Sequence, residues 1–120
     1  MPIIASRRYQ GGQPSAKSLP VDGAARGVLP EGSFDWVGLA NPTPEELEPV
    51  RQQFGLHPLA VEDALNPVQM PKVESYGAHL FIVARTAMVE EGDNIAFGQP
   101  SLFLGRDFLI TVRLGSTRAH

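Results

Sequence analysis

The stretch FDWVGLANPTPEELEPVRQQFGLHPLAVEDALN, residues 34–66, decides the fold. Residues 34–39 read as a short strand, with Phe34, Trp36 and Val37 supplying apolar surface. A helix start follows at once. Thr43 can cap, Pro44 suits the first helical position, and Glu46 completes a capping box. Leu47, Val50 and Phe54 recur at helical spacing, and Gly55 can end the helix in a left-handed conformation. Pro49 lacks an N–H and should bend or shorten this helix. A second, shorter helix is expected from Pro58, with His57 at its cap and Asn66-Pro67 as its stop. Val61 and Leu65 fall on one side of it, with Leu56 and Leu59 packing where it begins.

Downstream the period changes from helical to alternating. Residues 72–76 form a short candidate strand. Residues 79–89 are rich in β-branched and apolar side chains, and 80–84 are apolar on both faces, as a central strand requires. Residues 90–94, EEGDN, read as a charged turn, and 95–104 as a returning strand in which Pro100 implies an edge or a bulge. Gly105-Arg106-Asp107 turns again before a last strand over 108–112, after which 113–120 show no closing helix. Upstream, 3–9 and 16–21 are candidate strands around the Gly11-Gly12 turn. The expected fold class is α/β (α+β): a mixed, largely antiparallel sheet with two short helices inserted between early strands and a C-terminal β-meander. One face of the late strands is left without an evident cover, which a longer polypeptide or a dimer would provide.

The 120 residues are 42% hydrophobic and 19% charged, and Cys is absent. That suits one small domain with a real core, and it excludes disulfide scaffolds, thiolate metal sites and cysteine nucleophiles. Residues 31–120 carry twelve acids against six bases. Nucleic-acid binding is therefore disfavoured, since a phosphate-binding face needs clustered Lys and Arg. No run of about 18 apolar residues exists, so this stretch is not expected to insert into a bilayer. The first residues lack the order of a secretory signal, and a cytosolic setting is expected.

Catalytic signatures are missing: there is no P-loop, no GxGxxG and no GxSxG. His57, His79 and His120 lack metal-ligand spacing, and Ser101 and Ser116 have no neighbouring His and acid, so an enzyme is not expected. Glu45, Glu46 and Glu48 suit a first helical turn, and Glu90, Glu91 and Asp93 a solvated hairpin tip. The adjacent pair Glu62-Asp63 is different. It lies in the last turn of the second helix, where the negative end of the helix dipole disfavours carboxylates. A bound cation would offset that, and oxygen ligands suit Mg2+ or Ca2+. The plain alternative is a solvated helix end paired to Lys72 or an arginine. Two carboxylates are few for a tight site, so other ligands would come from another segment or subunit.

From residue 34 onward the chain resembles the cytoplasmic N-terminal domain of CorA-type magnesium/cobalt transporters. GLHPLAVEDALN (55–66), PKVESYG (71–77), the LFIVART strand (80–86) and SLFLGRDFLITVRLGS (101–116) carry the resemblance, which spans 34–116 in order; 1–33 match loosely. The resemblance implies a homopentamer with a cytoplasmic funnel, a stalk helix, two membrane helices and a Gly-Met-Asn pore motif, none of which lies in this stretch. It also implies divalent ions, Mg2+ foremost and Co2+ besides, bound weakly between neighbouring cytoplasmic domains at Glu62 and Asp63, where they report intracellular Mg2+ and favour closure. Met70 stands where relatives commonly carry a basic residue. The implied location is the cytoplasmic side of the inner membrane. The alternatives are a related zinc transporter with the same cytoplasmic architecture and a stand-alone soluble interaction or regulatory module.

Overall fold

The computed structural model describes residues 3–24, 26, 27, 29–89 and 95–119. In chain order these form β1 (Ile3–Gln10), β2 (Gln13–Ser18), β3 (Ser33–Ala40), α1 (Pro44–Phe54), α2 (Pro58–Ala64), β4 (Lys72–Ser75), β5 (His79–Val83), β6 (Thr86–Val89), β7 (Ile95–Gly105) and β8 (Phe108–Ala119). One sheet runs β2-β1-β3-β8-β7-β5-β4, with β6 also paired to β7. Among the described residues only β3 and β8 pair in parallel; the other pairings are antiparallel. The mixed, largely antiparallel sheet, the two helices before a meander and the α/β class are as the sequence implies.

Local chemistry explains the helices. Thr43 accepts from the Glu46 N–H at 3.1 Å, and the Glu46 side chain accepts from the Thr43 N–H at 2.8 Å. This reciprocal box satisfies two of the donors that a helix start leaves orphaned. Gly55 ends α1 at φ 65°, a left-handed value that only glycine adopts without cost. Pro49 does not shorten α1, which runs five residues beyond it. It removes one donor early in the helix, and the buried Val50 and Phe54 hold the following turn against the sheet.

Both helices lie on one sheet face. Leu47, Val50, Phe54, Leu56, Ala60, Val61 and Ala64 pack with Val37, Leu39, Phe81, Val83, Phe103, Ile110 and Val112 in a single buried cluster. Leu59 departs from expectation and is 58% exposed. It sits one position before Ala60, about 100° around the helix from the face that Ala60 and Ala64 press on the sheet. The opposite sheet face carries Trp36, Leu80, Ile82, Leu102, Leu104 and Leu109, all at least partly exposed, with Leu80 and Leu104 at 39%.

The strands depart from expectation in four places. The second strand lies three residues earlier than 16–21, because Gly11-Gly12 close a tight hairpin that pairs Gln10 with Gln13. The expected strand over 79–89 is split into β5 and β6, and Pro100 is the reason. Val83 pairs with Ser101 and Thr86 with Gly98 in one continuous register, so Ala84 stands opposite Pro100. Ala84 donates to the Pro100 carbonyl at 3.0 Å, but proline has no N–H to return. Pro100 therefore sits inside the sheet, not at an edge, next to a register shift between β7 and β8. Finally, β8 does not stop at Val112. It continues to Ala119, because β7 is long enough to template it: Ile95 pairs with Ala119. The charged turn 90–94 lies outside the described residues. Among the described residues no helix is long and apolar enough to cross a membrane.

Candidate metal site at the end of α2

His57 builds the start of α2. Its Nδ1 accepts from the Leu59 N–H at 3.1 Å, and Pro58 occupies the first helical position, where a missing N–H costs nothing. The backbone N–H of His57 in turn donates to Nε2 of His79 on β5, at 3.0 Å. His79 is only 4% exposed, and its ring lies between Tyr76 and Phe103, with centroids 5.7 and 5.8 Å away. A bond donated by the His57 backbone to a buried imidazole thus ties the beginning of α2 to the sheet.

The far end of α2 is tied just as firmly. Leu65 caps it, and Asn66 accepts the Val68 N–H at 3.0 Å in a short side-chain turn. Gln99, buried on β7, donates to the Asn66 carbonyl at 2.8 Å and accepts the Gln69 N–H at 3.3 Å. The Gln69 side-chain amide donates to the Asp63 carbonyl. The turn after the helix is therefore fastened to the sheet by an amide side chain that meets both a donor and an acceptor.

Glu62 and Asp63 point to different surroundings, as a 100° step dictates. Glu62 is exposed to solvent. Asp63 turns toward β4, where Lys72 Nζ meets Asp63 Oδ2 at 2.7 Å and Glu74 Oε1 at 2.5 Å. Tyr76 donates from its hydroxyl to Glu74 Oε2 at 3.2 Å. The bonds to Asp63 and then Glu74 raise the pKa of the Lys72 ammonium, and the bond from Lys72 holds the Glu74 carboxyl below the usual carboxylate range. The chain thus places Asp63, Lys72, Glu74 and Tyr76 together and leaves Glu62 beside them at the surface. Lys72 was legible as a candidate partner of Asp63. Glu74 and Tyr76 were not, because an alternating KVESY gives no sign of which face meets a helix end. Among the described residues no group of three His, Asp or Glu gathers closely enough to hold a metal ion.

His79 makes the seating of α2 sensitive to acid. Burial, with a smaller contribution from nearby His57, pushes its pKa below the ordinary histidine value. Protonating Nε2 would also end its acceptance from the His57 N–H. The folded pKa is depressed, so the unfolded chain binds more protons as pH falls through about 6.5. Stability should therefore drop between pH 7.5 and 5.5, by at most about 1.4 kcal/mol per pH unit for one proton. Urea unfolding across that range should show the drop in the native chain and a flatter profile in His79→Gln, whose amide can still accept. Equal slopes would assign the acid response to other groups.

The same architecture recurs in known proteins. Residues 31–119 match the family described as CorA-like Mg2+ transporter protein. YfjQ of Bacillus subtilis (strain 168), described as a candidate metal ion transporter, is 29% identical over 101 residues, which is 84% of this chain. The chain spans 30% of the length of that curated relative. Among solved structures, the soluble domain of CorA from Methanocaldococcus jannaschii superposes with a TM-score of 0.67 at 17% identity, over 98% of this chain and 43% of that one. The full-length CmaX protein gives 0.66 at 21% identity, over 94% and 35%. The complete CorA magnesium transporter from M. jannaschii gives 0.64 at 18% identity, over 98% and 34%. At those identities the superpositions speak for the fold, whereas the match over 31–119 speaks for descent. The chain belongs to the CorA-like Mg2+ transporter protein family.

Proposed function

We propose that this chain is the cytoplasmic regulatory part of a divalent-cation transporter for Mg2+ and Co2+, at the inner membrane, and that it works as one subunit of a homopentamer. In this reading Glu62 and Asp63 supply half of a weak Mg2+ site, and a neighbouring copy supplies the rest. The carrying observation is the placement of the pair: two adjacent carboxylates in the last turn of α2, one exposed and one partly buried, next to a turn fastened to the sheet. Carboxylates there face the negative end of the helix, so a shared cation relieves an unfavourable arrangement. The donor chemistry fits Mg2+, which takes one or two carboxylates and keeps several waters. Acidic faces of neighbouring subunits repel when cytosolic Mg2+ is scarce. Sharing the ion cancels that repulsion and shifts the population toward a symmetric, closed assembly, provided that state holds the ion more tightly.

A Mg2+ titration of the 120-residue chain, followed by sedimentation velocity and by amide resonances, tests this. Weak binding should map to residues 62 and 63 and should promote self-association. The paired change Glu62→Gln with Asp63→Asn should abolish both responses. A tight site in the monomer, lost in that double variant, would contradict the need for a neighbouring copy. A Mg2+ response that ignores both substitutions would end the assignment.

A further inference from the structure

The Lys72 ammonium stands where a cation would be shared. It lies 2.7 Å from Asp63 Oδ2 and 2.5 Å from Glu74 Oε1, and the Phe81 ring centroid is 5.8 Å away. This is not a pair of wandering surface side chains. Asp63 sits in the last turn of α2 with its carbonyl held by Gln69, Gln99 fastens the turn that follows, Glu74 is held by Tyr76, and Lys72 is on a strand paired to β5. The two carboxylates are therefore not equivalent: Glu62 is open to solvent, while Asp63 already has a positive partner from its own chain. We propose that Lys72 is a tethered competitor for the metal: it holds Asp63 in the ion-free chain and must release it before that carboxylate ligates a divalent cation. Lys72 thereby sets the ion concentration at which the pair responds. This rests on the reading of Glu62 and Asp63 as a Mg2+ site.

Two physical points support the role. An ordinary lysine is already charged throughout the cellular pH range, and Lys72 Nζ lies 2.7 Å from Asp63 Oδ2, so Asp63 is freed by ion competition. A pair this exposed adds little stability, so releasing Asp63 from Lys72 costs little against the binding of an ion.

The test is Mg2+ binding to the 120-residue chain, read from the amide resonances of Glu62 and Asp63 and, in the native protein, from the Lys72 ammonium resonance. Lys72→Met and Lys72→Gln should bind Mg2+ about fivefold more tightly, the scale of one exposed charge pair. Lys72→Arg should match the native chain, because it restores the competing cation. The native ammonium resonance should move with the same midpoint as the Asp63 amide. If Lys72→Met binds as the native chain does while Glu62→Gln and Asp63→Asn weaken binding, the competitor role fails and the site stands. If none of these substitutions alters the response, the site itself fails and the competitor role with it.

Discussion

Replacing Asp35 with alanine should cost the chain about 3 kcal/mol of stability, the low end of what breaking a buried ion pair costs. Asp35 is completely buried at the heart of β3. Its Oδ1 accepts from Arg8 Nε at 2.7 Å, and its Oδ2 from Arg8 Nη2 at 3.0 Å and from Arg26 Nη1 at 2.9 Å. Burial pushes this carboxyl up, but the bonds from Arg8 and Arg26 outweigh it and hold its pKa below the usual carboxylate range. Alanine would leave two guanidinium groups facing an empty, dry position. Arg26 would keep its 2.7 Å bond to Asp107 and its stacking on Phe54 and Phe108, which is why the low end applies. Arg8→Ala, at the solvent edge of the same network, should cost about 1 kcal/mol. Urea denaturation of the three proteins at pH 7 measures both numbers. A loss under about 1 kcal/mol for Asp35→Ala would mean that the network is weaker than its burial implies. The acid limb carries the same sign. A depressed carboxylate contributes stability above its unfolded pKa of about 3.9 and loses it as pH falls through the folded value.

That network also marks where reading the sequence stops. Thr43 with Glu46, Gly55, and His57 with Pro58 could be recognised because each acts on a backbone group within four residues. Arg8, Arg26, Asp35 and Asp107 act across the chain, and nothing in their spacing shows that a hairpin, a loop and two strands bring them together. The parallel pairing of β3 with β8 is of the same kind. Pro100 was recognisable as an interruption, but its consequence depends on which neighbour needs the missing donor, and that neighbour is Ala84. The candidate site divides likewise. Glu62-Asp63 stands out by its place on the helix, and Lys72 is close enough in sequence to be weighed. Glu74, Tyr76 and Gln99 enter only through the sheet.

Phe81→Ala should be the most damaging single truncation in the core, at about 3–5 kcal/mol. Phe81 is completely buried on β5, with the Phe103 ring 5.0 Å and the Tyr76 ring 6.5 Å away, and it lies beneath Lys72. Alanine would leave a cavity that flanking sheet strands, fixed by their own ladders, could not close. For a domain whose whole stability is about 5–15 kcal/mol, such a loss approaches unfolding, so Phe81→Leu is the useful companion. It keeps most of the volume and should cost under about 1.5 kcal/mol. Leu80, one residue earlier, looks equally apolar in sequence, but its side chain points to the opposite sheet face and is 39% exposed. Leu80→Ala should therefore cost less than about 1 kcal/mol. Chemical denaturation of these three variants measures how one-sided the packing is in the isolated chain. If Leu80→Ala proved as costly as Phe81→Ala, the outer sheet face would have to be covered in solution, and helices on one side only could not account for the stability.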